Sequence, residues 1–391
     1  MGLRSKREKK NLGLLLKTTG GPRILLANIE ALSSIKLARD TVTEFARQRR
    51  CMIAVDESTT IKNPSAERTK FIVRVLGPLG AFRRILTGLI SPRSPLDVYS
   101  QFQFLDPKIL GFSSFFSFRA RYGIMKPMLF GGRNVPVVVG YRDIEELRER
   151  IEPHSFRVRL EDCYDLPPKD YSFREVTMTD EQAKVYGELR AFASSALSAT
   201  QHVSATQVIT QILRMHQVLC GHVRDEEGVV HELKENRTKE LLSLLEEYDG
   251  KAIIWCSYDH DIRKVSAALE KEYGAGSVAR FWGGNNKTRE DEEKLYLNDP
   301  ACRFMVATAA AGGRGRTWGN ANLVVYYSST NDLEHRSQSE ERAQGVGKND
   351  RVAYVDMIVR GTVEEKIIKA LREKINVASV INGDNYREWL I

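Results

Sequence analysis

Short apolar runs recur along this chain, each cut off by Gly, Pro or a polar pair, with stretches of helical spacing between them. "RILLANI" (23–29), "CMIAVDE" (51–57) and "RRILTG" (83–88) lie in the first ~110 residues. "KAIIWCS", "SVARFWG", "RFMVATA", "NLVVYYSS" and "RVAYVDMIV" follow residue 250. Continuous apolar runs mark strands covered on both faces, and their alternation with helices marks a parallel sheet. The expected fold class is therefore α/β. Residues 1–110 form one unit, 236–391 a second, and 111–235 a mainly helical insertion. Within the insertion, "FGGRNVPVVVGY" (130–141) reads as a hairpin and "DIEELRERI" (143–151) as a helix. The alternating "YSFREVTMT" (171–179) reads as a strand returning to the first unit.

The 391 residues carry 59 Lys and Arg against 51 acids, a net charge of +8. That excess is compatible with a polyanionic partner without requiring one. Five widely spaced cysteines, with no C-x-x-C, read as reduced thiols of a cytosolic protein. No apolar run approaches the ~20 residues that cross a bilayer. "LGLLL" after the basic start "MGLRSKREKK" is too short for a signal-peptide core.

The chemistry begins at residue 56. An apolar strand that ends in Asp56 and Glu57 delivers two carboxylates to a sheet edge. Splitting a phosphoanhydride needs a metal bridging the outer phosphates, an oriented water and positive charge on the leaving oxygens. One carboxylate suits hydrated Mg²⁺, which takes oxygen ligands and keeps several waters. Its neighbour suits a general base.

The surrounding stretches make the pair specific. "DESTTIKNP" (56–64), "LTG" (86–88) and "SPLDVYSQFQFLDP" (94–107) resemble the Swi/Snf-type branch of the superfamily-two helicases. So do "LPPK", "MTDEQAKVY", "QILRMHQVLCGH" (211–222), "VATAAAGGRGRTWGNANLVVYYSS" (306–329) and "QSEERAQGVGKNDRVAYVDMIVRGTVEEKI" (338–367), in the family's order. The resemblance spans nearly the whole chain. It implies two RecA-like parallel-sheet domains, with ATP and Mg²⁺ as cofactors and DNA, double-stranded, as the partner. It implies that Asp56 holds Mg²⁺ through water and that Glu57 activates the attacking water. Thr87 and Gly88 would couple the site to DNA, and Thr308, Gly312 and Gly313 would approach the phosphate backbone. Gln338 and Arg342 would face the nucleotide.

Three departures stand against a self-sufficient ATPase. No G-x-x-x-x-G-K-[ST], the loop that cradles phosphates, occurs anywhere in the chain; "DGKA" (249–252) and "GVGKND" (345–350) lack its spacing or hydroxyl. "LTGLIS" (86–91) stands where the family has "LTGTP". Gly345 occupies the place of the family's second arginine, the arginine finger. The expectation is a first domain that begins partway through, with the phosphate loop either supplied by another polypeptide or lost to truncation of the reading frame. The host would be a bacterial or phage-infected cell. The alternative is an ATPase-dead DNA-binding fragment or remnant.

Three further stretches have plain readings. His216, Cys220, His222 and His231 match no common zinc spacing. "SSFFSFRARYG" (113–123) mixes aromatics and arginines as base-stacking surfaces do, but also as a packed helix does. "TREDEEKLY" (288–296) reads as a solvated helix face.

Overall fold

The computed structural model describes residues 21–382, with Gly13 and Leu16, apart from 49, 131–132, 159, 164–168, 199–204, 226, 313–316, 331, 345–347 and 349. Gly313 thus lies outside the described residues. The chain divides into two compact units. The first holds the described residues of Met1–Lys126 and Val138–Phe156, the second chiefly those of Arg157–Ile375.

In the first unit, strands β1 (Met52–Val55) and β2 (Phe82–Ile85) pair in parallel, Met52 opposite Phe82 and Val55 opposite Ile85. Ile53, Val55 and Ile85 point into a cluster built from Leu32, Ala38, Ile61, Phe71, Ile72, Leu76 and Phe104. A second cluster forms around Phe102, Phe118, Tyr122 and Leu147, on helices Val98–Leu105, Phe115–Tyr122 and Ile144–Ile151. The Phe115–Tyr122 helix starts at Ser114, whose hydroxyl accepts the Ser117 N–H at 3.1 Å. Phe118 and Tyr122 are fully buried there, so "SSFFSFRARYG" is mainly a packing element. β3 (Gly123–Phe130) and β4 (Arg133–Tyr141) pair as a two-stranded sheet; the stretch 130–141 expected to hold a whole hairpin supplies little more than its second strand, and the first lies upstream of it.

One expected strand is not formed. Residues 23–28 have no regular structure, and Ile24 and Leu26 are exposed. An apolar run becomes a strand only when an edge is there to accept its backbone groups, and here none pairs with it.

β5 (Lys169–Glu175), β6 (His222–Arg224), β7 (Val230–Glu232), β8 (Lys251–Trp255), β9 (Val278–Phe281), β10 (Phe304–Ala307), β11 (Ala321–Tyr326) and β12 (Val352–Ile358) follow. Six of them build one sheet in the order β5-β12-β11-β8-β10-β9, and every pairing is parallel. The five strands expected after residue 250 are all present. The return strand expected at 171–179 is β5, but it pairs with β12 and so belongs to this sheet, not to the first unit. Alternation of apolar and polar residues identifies a strand with one wet face; it carries no label for the partner. Apolar side chains fill both sides of the sheet. Ile254, Val306 and Val325 face one cluster, while Ile253, Met305, Val324 and Tyr354 face the other.

Candidate functional site: two sheet edges bearing carboxylates, glycines and arginine

β1 delivers Asp56 and Glu57 to its carboxyl end, where the chain turns sharply. Glu57 has φ 47° and ψ 56°, one of two non-glycine residues with positive φ among the described residues. A bulky residue takes this left-handed conformation at a cost of about 1–3 kcal/mol, which surrounding bonds must offset. Those bonds are present. Leu86 N–H donates to Val55 O and Ser58 N–H to Leu86 O, both at 2.9 Å. The Ser58 hydroxyl donates to Gln101 Oε1 at 2.6 Å. Gln101, fully buried, spends its amide hydrogens on the carbonyls of Ile90 and Asp97, each at 2.8 Å. One side chain therefore ties the carboxylate turn to the loop of Thr87 and Gly88 and to the helix that follows.

Asp56 is exposed, and its one hydrogen bond among the described residues is an accepted N–H from Glu57 at 3.0 Å. Most of its oxygen lone pairs face solvent, which suits a hydrated Mg²⁺ held through water. Thr87 folds back on its own turn, its hydroxyl within 3.2 Å of Leu89 O. A Cβ at Gly88 would meet nothing within 4 Å, so nothing inside the protein requires glycine at that position.

The second unit presents another edge at the carboxyl end of β10. Thr308 N–H donates to Phe281 O at 3.1 Å, and Thr308 O accepts Gly312 N–H at 2.9 Å. A Cβ on Gly312 would stand 2.7 Å from Trp318 and 3.2 Å from Trp255, two indoles stacked at 5.6 Å. The glycine requirement here is therefore internal. Trp318 N–H donates to Arg342 O at 2.7 Å, which joins this turn to the segment bearing Gln338 and Arg342. Arg342 is 9% exposed, and its Nε donates to Gln338 O at 3.0 Å.

Beneath them lies a buried charge network. Arg336 grips Asp356 with both terminal nitrogens, at 2.5 and 2.8 Å, donates to Glu340 at 2.7 Å and stacks on Tyr326 at 3.4 Å. Tyr171 donates to Glu340 at 2.8 Å, and its proton is held strongly because burial and that carboxylate both oppose ionisation. The helix Leu333–Glu340 is thus fixed to β12 and β5 by charge.

Of the possible metal ligands, His216, Cys220 and Glu364 stand within 4.8 Å of one another, while His231 is exposed beside Asp225 at 2.6 Å. Arg237 already neutralises Glu364 through hydrogen bonds of 2.6 and 2.7 Å. Burial also pushes the Cys220 thiol well up. The cluster is an ion-pair network.

These residues were only partly legible beforehand. Asp56, Glu57, Thr87 and Gly88 come together, as do Thr308, Gly312, Gln338 and Arg342. Ser58, Gln101, Arg336 and the Trp255–Trp318 pair were missed, because each acts across a long sequence separation.

The chain belongs to the SNF2-related family, whose domain profile matches residues 8–224; a helicase conserved C-terminal domain matches residues 234–347. The fold class is α/β, with a parallel strand pair in the first unit and a six-stranded parallel sheet in the second. TATA-binding protein-associated factor mot1 of Aspergillus fumigatus is 26% identical over 376 residues, 85% of this chain and 20% of that protein. The putative ATP-dependent helicase/translocase YwqA of Bacillus subtilis is 23% identical, over 91% of this chain and 38% of its own length. The chain thus spans between a fifth and two fifths of these relatives. A Sulfolobus solfataricus SWI2/SNF2 ATPase core, solved in complex with dsDNA, is 22% identical with a TM-score of 0.43, covering 97% of this chain and 74% of that one. Among the described residues, no helix is long and apolar enough to cross a membrane.

Proposed function

We propose that the chain forms part of a DNA-stimulated ATPase of the translocase type, supplying the metal and water groups but not the grip on the triphosphate. Residues 1–110 would belong to the first lobe and 236–391 to the second, with β5, from the intervening 111–235, lying in the second lobe's sheet. Asp56 would hold Mg²⁺ through water; the bound metal would supply charge neutralisation at the phosphates. Glu57 would take the proton of the attacking water, its carboxylate aimed by the strained turn. Arg342, with Gln338, would face the nucleotide from the second lobe. Thr87, Gly88, Thr308, Gly312 and Gly313 would meet duplex DNA and report it to the carboxylates.

The observation that carries this reading is the Ser58–Gln101 bridge. It gives the carboxylate turn and the Thr87 loop one shared support, so displacement of either is felt by the other. Gly345, in the place of a second arginine, removes a group that changes phosphoryl transfer by about 10³ to 10⁵. The chain alone should therefore not turn over ATP. A polypeptide carrying the phosphate loop would restore part of the activity.

The test is steady-state ATP turnover with and without duplex DNA, first with the chain alone, then with a loop-bearing polypeptide added. Turnover by the chain alone that Glu57→Gln abolishes would overturn the reading. The second reading, a DNA-binding fragment without ATPase activity, is favoured if turnover stays absent in every mixture. It requires duplex binding that weakens steeply with salt, since phosphate contacts release counterions.

A further inference from the structure

Four histidines stand at the β6–β7 hairpin and the helix ends beside it, each facing a carboxylate. His231 meets Asp225 at 2.6 Å, His260 meets Glu232 at 3.6 Å, His216 meets Glu364 at 3.4 Å and His222 meets Asp261 at 3.4 Å. The first two pairs have an exposed member, His231 and Glu232, and such contacts are worth little. In the third, Glu364 already accepts two bonds from Arg237 and one from Val359 N–H. The fourth differs from all of these. His222 and Asp261 are both buried, and His222 Nδ1 and Asp261 Oδ1 face each other with no hydrogen bond to either atom among the described residues. Their separation exceeds the roughly 2.7–3.2 Å of a formed bond. One proton placed between them would satisfy both.

The cations near the pair are engaged elsewhere. On the helix Asp259–Tyr273, which carries Asp261, Lys264 bonds Glu235 at 3.2 Å and donates to Cys220 O. His260, on the same helix, packs its ring 4.7 Å from that of His222. His216 comes from the helix Ala205–Leu219, and its Nδ1 lies 2.7 Å from the Tyr258 hydroxyl. Arg237 is bound to Glu364. Burial keeps the nearby Tyr258 and Tyr327 hydroxyls and the Cys220 and Cys256 thiols protonated. No lysine or arginine is bonded to Asp261 among the described residues. Burial accordingly pushes the Asp261 carboxyl up to about 6 and His222 down to about 3.

The pair is joined to the arginine segment through two adjacent buried serines that follow β11. Ser328 Oγ donates to Asp261 Oδ2 at 2.8 Å and accepts Ser257 N–H at 2.7 Å. Ser329 Oγ donates at 3.3 Å to Asp356 Oδ1, on the carboxylate that Arg336 grips. Arg336 lies on the helix Leu333–Glu340, which bears Gln338 and leads to Arg342.

We propose that His222 and Asp261 form a proton-operated latch on the helix Leu333–Glu340. In the closed state Asp261 Oδ1–H donates to the unprotonated Nδ1 of a neutral His222, and the two serines hold the helix to the sheet. In the open state that proton has passed to water. The buried carboxylate then moves toward solvent, takes Ser328 with it and frees Ser329 from Asp356. Opening returns Asp261 to its ordinary 3.8, so it becomes easier as the pH rises through about 6 and levels off above. The inference rests on the reading above only in what the helix is for, because its release is measured without nucleotide.

The test is amide exchange of the full chain between about pH 4 and pH 8, corrected for the intrinsic effect of pH on exchange. Residues 328–329 and 333–340 should exchange about tenfold or more faster at the upper end than at the lower, with most of the rise complete near pH 6. The rise should persist unchanged in low urea, because a local opening exposes little surface. Asp261→Asn should flatten the profile. Ser328→Ala should leave the His222 imidazole sensing the Asp261 titration by NMR, while residues 333–340 no longer follow it. A flat parent profile would overturn the proposal. So would a rise that grows with urea, which marks unfolding of the whole unit, or a Ser328→Ala helix that still follows the parent's profile. The parent's own profile needs no substitution, so a variant that fails to fold leaves the decision intact. ATP turnover has no bearing on these readings, and a latch that fails leaves the ATPase reading where it stood.

Discussion

The two units use the same kind of sheet in opposite states of completion. In the second, β8, β10, β11 and β12 are buried at nearly every position, and the sheet's charges are paired internally: Arg237 with Glu364, Arg336 with Asp356 and Glu340. In the first, β1 and β2 alternate between exposed and covered residues, and Arg84, on the same exposed face as Met52, Ala54 and Phe82, has no acidic partner among the described residues. Buried charge therefore holds the second unit's site rigidly. The first unit's site relies on a neutral amide bridge, and its sheet has an open side.

The largest test of this contrast is Arg237→Ala. Arg237 is fully buried, bonds Glu364 twice and donates to the carbonyls of Leu219, Tyr327 and Met357. Removing it strands a buried carboxylate, at a cost of about 3–5 kcal/mol. Arg84→Ala, on the exposed face, should change stability by no more than about 0.5 kcal/mol. Denaturant unfolding of both variants decides it, and equal losses would erase the distinction between the units.

The glycines sharpen the same point. Gly312→Ala would drive a methyl into the stacked Trp255 and Trp318, an overpacking cost of about 1–3 kcal/mol. It should also change the tryptophan fluorescence. Gly88→Ala meets open space and should leave stability unaltered while weakening any contact made there from outside. If Gly88→Ala destabilises as much as Gly312→Ala, glycine at 88 serves the fold and the coupling role assigned to its loop loses its support.

Gln101→Leu tests the neutral bridge. It leaves the buried Ser58 hydroxyl and two carbonyls without their partner, worth about 1–3 kcal/mol. The first unit should loosen at Ser58 and at Ile90–Ser91 by amide exchange while the second keeps its protection. Uniform loosening across both units would show that Gln101 is ordinary core.

What the sequence disclosed follows from the range of each interaction. The second unit's strands were readable because burial on both faces writes itself as an apolar run. "RILLANI" had the same signature without an available edge, so it formed no strand. The Asp56–Glu57 pair was readable because strand and chemistry are contiguous. Gln101 was not: a glutamine between Ser100 and Phe102 looks like any polar position on a helix, and its purpose lies 43 residues away at Ser58. Gly312 was singled out for approach to a phosphate backbone, whereas the structure gives it an internal reason to lack a side chain. The cause, a pair of indoles from β8 and the turn before β11, lies beyond local pattern.

The smallest effect expected is a pH-dependent one, at Asp261. Burial pushes its carboxyl up to about 6, partly offset by Lys264, the Ser328 hydroxyl, His216 and Arg237. His222, whose Nδ1 lies 3.4 Å from Asp261, is driven the other way, down to about 3, by burial and by the cationic forms of His260, Lys264 and His216. For Asp261 the folded pKa exceeds the ordinary 3.8, so its contribution is fully present below pH 3.8 and lost as the pH rises through about 6. For His222 the folded pKa is below 6.5, so its contribution is present above pH 6.5 and lost as the pH falls toward 3. Asp261→Asn removes the first of these and keeps an acceptor for Ser328. Relative to the parent it should gain about 1–2 kcal/mol at pH 8, and that gain should shrink toward zero at pH 4. Urea unfolding at the two pH values and fixed salt measures the difference. A gain that is the same at both would mean Asp261 is not ionised against its surroundings, and the second unit's buried charges would then all be matched by partners.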